Sequence, residues 1–229
     1  MMLLSILVPV YNESTTIVQI LERVFAQAWP VDIEVIAVND FSTDDTREKL
    51  DPLTARWPNL RIYHHSVNCG KGAAIRTALS KANGEIVAIQ DADLEYDPAE
   101  LAILLAPILE DKADVVYGSR FMTGCPSSKF HKFGNSLLTS LSNQFTGLKL
   151  TDMETCYKVI RKSFLEGVKI RSERFGIEPE ITAKLARRKA RFCELPISYR
   201  FRSYAEGKKI TWRDAFKAVL SIVYFRFHD

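Results

Sequence analysis

Ile86-Val87-Ala88-Ile89-Gln90-Asp91-Ala92-Asp93 is the stretch on which the reading of this chain turns. A short apolar run bounded by charge marks a buried strand. In an open α/β sheet the carboxyl end of such a strand faces the ligand crevice. Side chains two apart on an extended chain share a face. Asp91 and Asp93 therefore repel each other unless a cation or hydroxyl groups lie between them. Hard divalent cations, Mg2+ or Mn2+, take oxygen ligands of this kind, and Mg2+ typically combines one or two carboxylates with substrate phosphates. A polar strand end that caps the next turn is the plainer alternative.

Outward from this strand, strand-like and helix-like runs alternate through the first half, the pattern of a parallel α/β sheet. Strands are predicted over Leu3 to Val10, Ile33 to Val38, Leu60 to His64 and Asp114 to Tyr117. Between them lie helices capped by Ser14 or Thr15, by Ser42 or Asp44 (running to about Arg56), by Gly70 and by Asp97-Pro98. The second half is less regular. Helices are expected over Leu137 to Phe145, Pro179 to Arg188 and Trp212 to Phe227, with strands over Cys156 to Ile160 and Phe192 to Tyr199. Trp212, Phe216, Val219, Leu220, Val223, Tyr224 and Phe227 share one broad face of the last helix.

Composition narrows the classes. The 229 residues are 47% hydrophobic and 26% charged, ordinary for a globular chain that can bury a substantial core. A net charge of +3 gives no electrostatic case for nucleic acid. The charge is unevenly placed: Lys184, Arg187, Arg188, Lys189, Arg191, Arg200, Arg202, Lys208 and Lys209 face only Glu194 and Glu206. That imbalance favours an anionic partner, although a solvated basic helix face explains part of it. The four cysteines show no Cys-x-x-Cys spacing, so neither zinc nor a disulfide framework is implied. With no signal peptide and no apolar run long enough to span a bilayer, a cytoplasmic location is the default expectation.

Five motifs in order carry a resemblance that covers about the whole chain. They are Val8-Pro9-Val10-Tyr11-Asn12-Glu13, Val38-Asn39-Asp40-Phe41-Ser42-Thr43-Asp44, Asn68 through Gly72, Asp91-Ala92-Asp93 and Gly118-Ser119-Arg120. The chain resembles the family 2 glycosyltransferases, and within them the enzymes that load sugars onto polyprenyl phosphates, such as the dolichol-phosphate mannose synthases. The resemblance implies one GT-A type, Rossmann-like α/β domain over residues 1–229, mostly parallel in its sheet. Residues 1–120 would form the nucleotide-sugar half and 121–229 the acceptor half. It also implies metal-dependent, inverting transfer of a sugar from a GDP- or UDP-sugar to a polyprenyl (dolichyl or undecaprenyl) phosphate.

On that resemblance Pro9, Tyr11, Glu13, Asp40, Lys71 and Asp91 bind the nucleotide sugar. Asp93 ligates Mg2+ or Mn2+ with Asp91, and Glu95 is a third ligand or a solvent-facing carboxylate. Arg120 pairs with phosphate oxygens. In Asp152-Met153-Glu154-Thr155-Cys156-Tyr157-Lys158, Asp152 or Glu154 is a base for a sugar hydroxyl, or an orienting group if the acceptor is an already ionised phosphate. Arg202, Lys208 and Lys209 form a basic loop that closes on the donor and holds an anionic acceptor, with Glu178 a carboxylate near that acceptor. Asn39 departs from the family's usual aspartate. The last helix suits the membrane interface, giving peripheral contact at the cytoplasmic face, and could equally bury its apolar face in the core or against a second copy in a homodimer. Rival readings are a sugar-to-sugar transferase of cell-surface polysaccharide synthesis and a nucleotide-sugar-binding module without turnover.

Overall fold

The computed structural model of the protein describes residues 2–122, 129–174, 176–200 and 212–228. Its centre is a seven-stranded sheet in the order β3-β2-β1-β4-β6-β5-β7. The strands are β1 (Leu3–Val10), β2 (Asp32–Asn39), β3 (Leu60–His64), β4 (Ile86–Ile89), β5 (Val115–Ser119), β6 (Lys158–Arg161) and β7 (Phe192–Pro196). β6 pairs antiparallel with both β4 and β5, while every other pairing is parallel. Six strands thus end at one rim, and β6 begins there.

The apolar runs form strands because both faces of this sheet are covered, as parallel sheets require. Ile6, Val8, Val35, Ile36, Val38 and Val116 have no solvent exposure. Each such side chain contributes about 1.5–3 kcal/mol on burial. The helices that cover the sheet are α1 (Ile17–Ala26), α2 (Thr46–Leu50), α3 (Lys71–Lys81), α4 (Pro98–Leu104), α5 (Ala106–Leu109), α6 (Lys129–Thr146), α7 (Ile177–Arg187) and α8 (Trp212–Phe227). α1 follows the predicted periodicity, burying Ile17, Ile20, Leu21 and Val24. Asp97 caps α4 as expected, accepting from the Ala99 amide at 3.0 Å with Pro98 in the first turn.

Two expectations are corrected. The helix expected to reach Arg56 stops at Leu50 and continues as a 3-10 turn over Asp51–Ala55, where Pro52 removes a helical donor. The basic run from Lys184 to Arg191 is largely structural: Lys184 is buried against Glu180 at 2.9 Å, and Arg191 pairs with Asp111 and Asp114. In α8 the buried side carries Ala218, Ile222 and Phe225, whereas Leu220, Val223, Tyr224 and Phe227 of the predicted apolar face are exposed. Ala218 is small enough to let that helix lie close to the domain.

Candidate active site

A cavity of about 320 Å3 opens at the rim where the parallel strands end. Each strand end delivers a motif to it: Tyr11 and Glu13 after β1, Asp40 after β2, Asp91 and Asp93 after β4, Arg120 after β5. Pro9 and Lys71 also line it, so the residues expected to hold a nucleotide sugar are brought together.

Asp40 lies in the cavity wall with its carboxylate already occupied. Oδ1 accepts the Cys69 amide at 2.9 Å and meets His65 Nδ1 at 2.7 Å. Oδ2 accepts the Gly70 amide at 2.6 Å and the Asn68 side chain at 2.9 Å. The Asp40 carboxylate thus folds the 68–70 turn that enters α3. Asn39 serves a similar purpose, accepting from the Ser42 amide at 3.1 Å and the Ser42 hydroxyl at 2.6 Å. An amide at 39 performs that turn chemistry without a second charge.

Lys71 does not stand open to a phosphate. Its Nζ lies 2.9 Å from Asp91 Oδ1 and 3.2 Å from Glu178 Oε1. Burial works against its charge, but Asp91 and Glu178 more than offset this and raise its pKa well above the ordinary lysine value. Asp93 is buried and accepts the Glu95 amide at 3.0 Å. Glu95 Oε2 accepts the Tyr199 hydroxyl at 2.6 Å, and the Glu95 carbonyl accepts the Arg200 amide at 2.9 Å. The chain after β7 is thereby tied to the Asp91–Glu95 turn. Arg202, Lys208 and Lys209 lie outside the described residues.

Two of the three carboxylates expected as metal ligands have protein partners. Among the described residues, the group of three that brings ligand atoms within 4.8 Å of one another is Asp40, His65 and Cys69. Asp91, Asp93 and Glu95 form no such group, because Asp91 turns to Lys71 and Glu95 to Tyr199. Asp93 offers hard oxygens that suit Mg2+ or Mn2+. Asp40, His65 and Cys69 hold each other or the turn, and the Cys69 thiol donates to the Val67 carbonyl at 3.4 Å.

The acceptor-side motif divides sharply. Asp152 is fully buried and absent from the cavity wall. Its carboxylate takes a bidentate pair from Arg120, Nε to Oδ2 at 2.6 Å and Nη2 to Oδ1 at 2.7 Å, with Asn135 at 3.0 Å. Asp152 thereby fixes the guanidinium, which also lies 5.1 Å from the centre of the Tyr199 ring. Glu154 does reach the cavity. Its backbone is held from several elements: Glu194 of β7 takes the Asp152 amide at 3.0 Å, Thr139 of α6 takes the Met153 amide at 3.1 Å, and the Tyr96 hydroxyl takes the Cys156 amide at 3.1 Å. Burial, then the nearby Glu178 carboxylate, push the Glu154 pKa up to about 8, against the opposing pull of Lys158 and Arg120.

Tyr96, Arg174 and Tyr199 also line the site and were not singled out from sequence. Tyr199 had one usable signal, since its ring ends the last strand-like run. Tyr96 and Arg174 had none.

The comparisons follow this geometry. The model of the family described as Glycosyl transferase family 2 matches residues 5–168. The chain belongs to that family. Its sheet and flanking helices have the GT-A arrangement expected from its motifs. An undecaprenyl-phosphate mannosyltransferase of Micrococcus luteus is 30% identical over 88% of this chain and 85% of that protein. A dolichol-phosphate mannosyltransferase of Pyrococcus furiosus is 24% identical over 90% of this chain and 59% of that protein. The chain spans about three fifths of the length of several such relatives. In fold it is similar to glucosyl-3-phosphoglycerate synthase of Mycobacterium tuberculosis, solved with Mn2+, UDP and phosphoglyceric acid, at a TM-score of 0.76 and 17% identity, covering 99% of this chain and 79% of that one.

Proposed function

We propose that this glycosyltransferase moves a sugar from a nucleoside diphosphate sugar to a polyprenyl phosphate, with inversion at the anomeric carbon. The observation that carries the reading is the state of Asp152, one of the two candidate bases. Asp152 is locked onto Arg120 and lies outside the cavity wall. A carboxylate held in that pair does not suit the removal of a proton from a sugar hydroxyl. A phosphate monoester acceptor does not ask for that, because its attacking oxygen is already ionised at pH 7.

In this mechanism a phosphate oxygen of the lipid attacks the anomeric carbon from the face opposite the nucleotide. The bond from that carbon to the diphosphate oxygen breaks, and the nucleoside diphosphate leaves with the electron pair. Tyr11 and the 68–70 turn organised by Asp40 form the nucleotide wall. Arg120, held flat by Asp152, meets phosphate oxygens at the junction of donor and acceptor. Seven carboxylates and three cations line the cavity among the described residues, so a diphosphate needs added positive charge. Asp93 would hold Mg2+ or Mn2+, which neutralises charge on the leaving diphosphate. Arg202, Lys208 and Lys209 supply further cations. The lipid phosphate places the enzyme at a membrane surface, and the relatives named for dolichyl and undecaprenyl phosphates support that acceptor class.

The test supplies radiolabelled UDP- and GDP-sugars with undecaprenyl or dolichyl phosphate in vesicles. Sugar should appear on the lipid phosphate, disappear with a chelator, and fall at least about tenfold in Asp93→Asn. Transfer to neutral oligosaccharides with none to the lipid phosphate would refute the acceptor assignment.

A further inference from the structure

A second cavity, of about 260 Å3, lies in the helical layer formed by α6, α7 and α8. Leu138 of α6 and Ala218 of α8 line the strand-end cavity; about two turns further along the same helices, Phe145 and Phe225 line this one, with Ile222 beside them. Its floor is apolar and its charged groups have one sign. Arg187, Lys189 and Arg226 line it, and among the described residues no carboxylate does. Lys184 and Arg191, of the same basic run, are held in ion pairs, and Arg187 donates Nη2 to the His228 carbonyl at 2.8 Å. Lys189 stands at a backbone position that lysine disfavours. α7 closes on a Schellman turn, with the Lys189 amide donating to the Ala186 carbonyl at 2.9 Å and the Ala190 amide to the Leu185 carbonyl at 3.2 Å. The left-handed position in that turn ordinarily holds glycine. Lys189 occupies it at φ +57°, and its side chain lines the groove.

Three cations over an apolar floor complement a ligand that is anionic at one end and apolar at the other. The volume falls below the roughly 300–1,000 Å3 of pockets that enclose a drug-sized ligand, so the groove suits part of a molecule whose remainder stays outside. Val223 and Phe227 of α8, 40% and 72% exposed, carry an apolar surface outward beside it. We propose that this groove holds an anionic phospholipid of the bilayer. Its phosphate meets Arg187, Lys189 and Arg226, and the first carbons of an acyl chain lie against Phe145, Ile222 and Phe225. The lipid orients the domain on the membrane and takes no part in sugar transfer. The site is separate from the donor and acceptor contacts proposed above and does not depend on them.

The experiment sediments the full chain with phosphatidylcholine vesicles, with or without phosphatidylglycerol, all free of polyprenyl phosphate and nucleotide sugar. A failure of the acceptor reading therefore cannot affect it. Phosphatidylglycerol should strengthen binding, and a lysine or arginine near an anionic leaflet is worth about fivefold. Lys189→Gly should weaken binding by about that factor while Tm stays the same or rises, because glycine relieves the left-handed backbone. Ala186→Phe fills the groove without changing a charge and should weaken binding severalfold; if it does not fold, Lys189→Gly carries the prediction alone. Lys112→Ala removes an exposed cation elsewhere and should change nothing. Soluble dihexanoyl phosphatidylglycerol should displace the protein from vesicles, and inorganic phosphate at matched ionic strength should not. Equal binding to both kinds of vesicle overturns the proposal, as does an equal loss in Lys112→Ala, which would leave net charge as the cause. Equal competition by inorganic phosphate would make the groove a free-anion site and overturn the lipid assignment. A lower Tm with full binding in Lys189→Gly would assign that lysine to the α7 dipole instead.

Discussion

At the scale of single residues, Asp152 and Glu154 show what a motif leaves unsaid. They stand two apart in one acidic stretch, and the sequence assigns them equal claims to the same chemistry. Packing separates them, because the pocket closed by Arg120, Asn135 and the Thr151–Asp152 turn accommodates only one of the two carboxylates. Asp152→Asn should therefore act through the fold. Breaking a buried ion pair on one side typically costs about 3–5 kcal/mol, so chemical denaturation should show a loss of that order. Unchanged stability with lost turnover would return Asp152 to the chemistry. Glu154 gives a pH signature instead. Its pKa is raised from 4.5 to about 8, so the native state retains a proton that the unfolded chain releases. Native stability is then favoured at low pH and falls as pH rises through that window, by at most about 1.4 kcal/mol per unit. Glu154→Gln should flatten the decline of Tm with pH over that range; identical pH profiles for the two proteins would contradict the raised pKa.

At the scale of elements, the entry to α3 depends on a segment far away in sequence. The carbonyls of Ser172 and Glu173 lie so close to Gly70 and Gly72 that a Cβ at either position would collide with them. Gly70 also has φ of +91°, outside the range that other residues favour. The 171–172 backbone is held by Glu180, which takes the Arg171 and Ser172 amides at 2.7 Å each. Alanine usually stabilises a helix relative to glycine by about 1 kcal/mol. Gly72→Ala should reverse that sign, costing about 1–3 kcal/mol through overpacking and weakening donor binding by displacing Lys71. A higher Tm in this variant would show that the 172–173 backbone yields readily. Strand and helix positions here were legible from periodicity and from the Asp97-Pro98 start signal, whereas the break at Pro52 was read through. The close approach at Gly72 was not, because nothing local in Gly70-Lys71-Gly72 encodes a neighbour a hundred residues on.

At the scale of the whole molecule, the alternation of strands and helices was enough to read a mostly parallel sheet, but not the reversed direction of β6, since an apolar run looks the same whichever way it is traversed. The exposed side of α8 was also read only in part. No helix among the described residues is long and apolar enough to cross a membrane. Leu220 and Phe227, 54% and 72% exposed, instead offer an apolar outer surface. Exposed positions of this kind contribute within about 0.5 kcal/mol to folding. Leu220→Ser with Phe227→Ser should leave Tm unchanged while lowering sedimentation with anionic vesicles severalfold. Vesicle binding that persists, with a dimer that dissociates, would assign this face to a second copy.

The reversed strand has a further consequence. Because β6 runs against its neighbours, the chain arriving at it meets the same rim that the chain leaving β1, β2 and β4 meets. Donor-side residues therefore sit on exits and Glu154 on an entrance, carried by separate stretches of polypeptide. The two sets of contacts can vary independently: residues 129–157, which form α6 and the approach to β6, make a cassette whose replacement would alter the proposed acceptor side while the strands proposed to cradle the nucleotide keep their pairing. A single backward strand makes the sheet modular, allowing one donor platform to be refitted for different recipients.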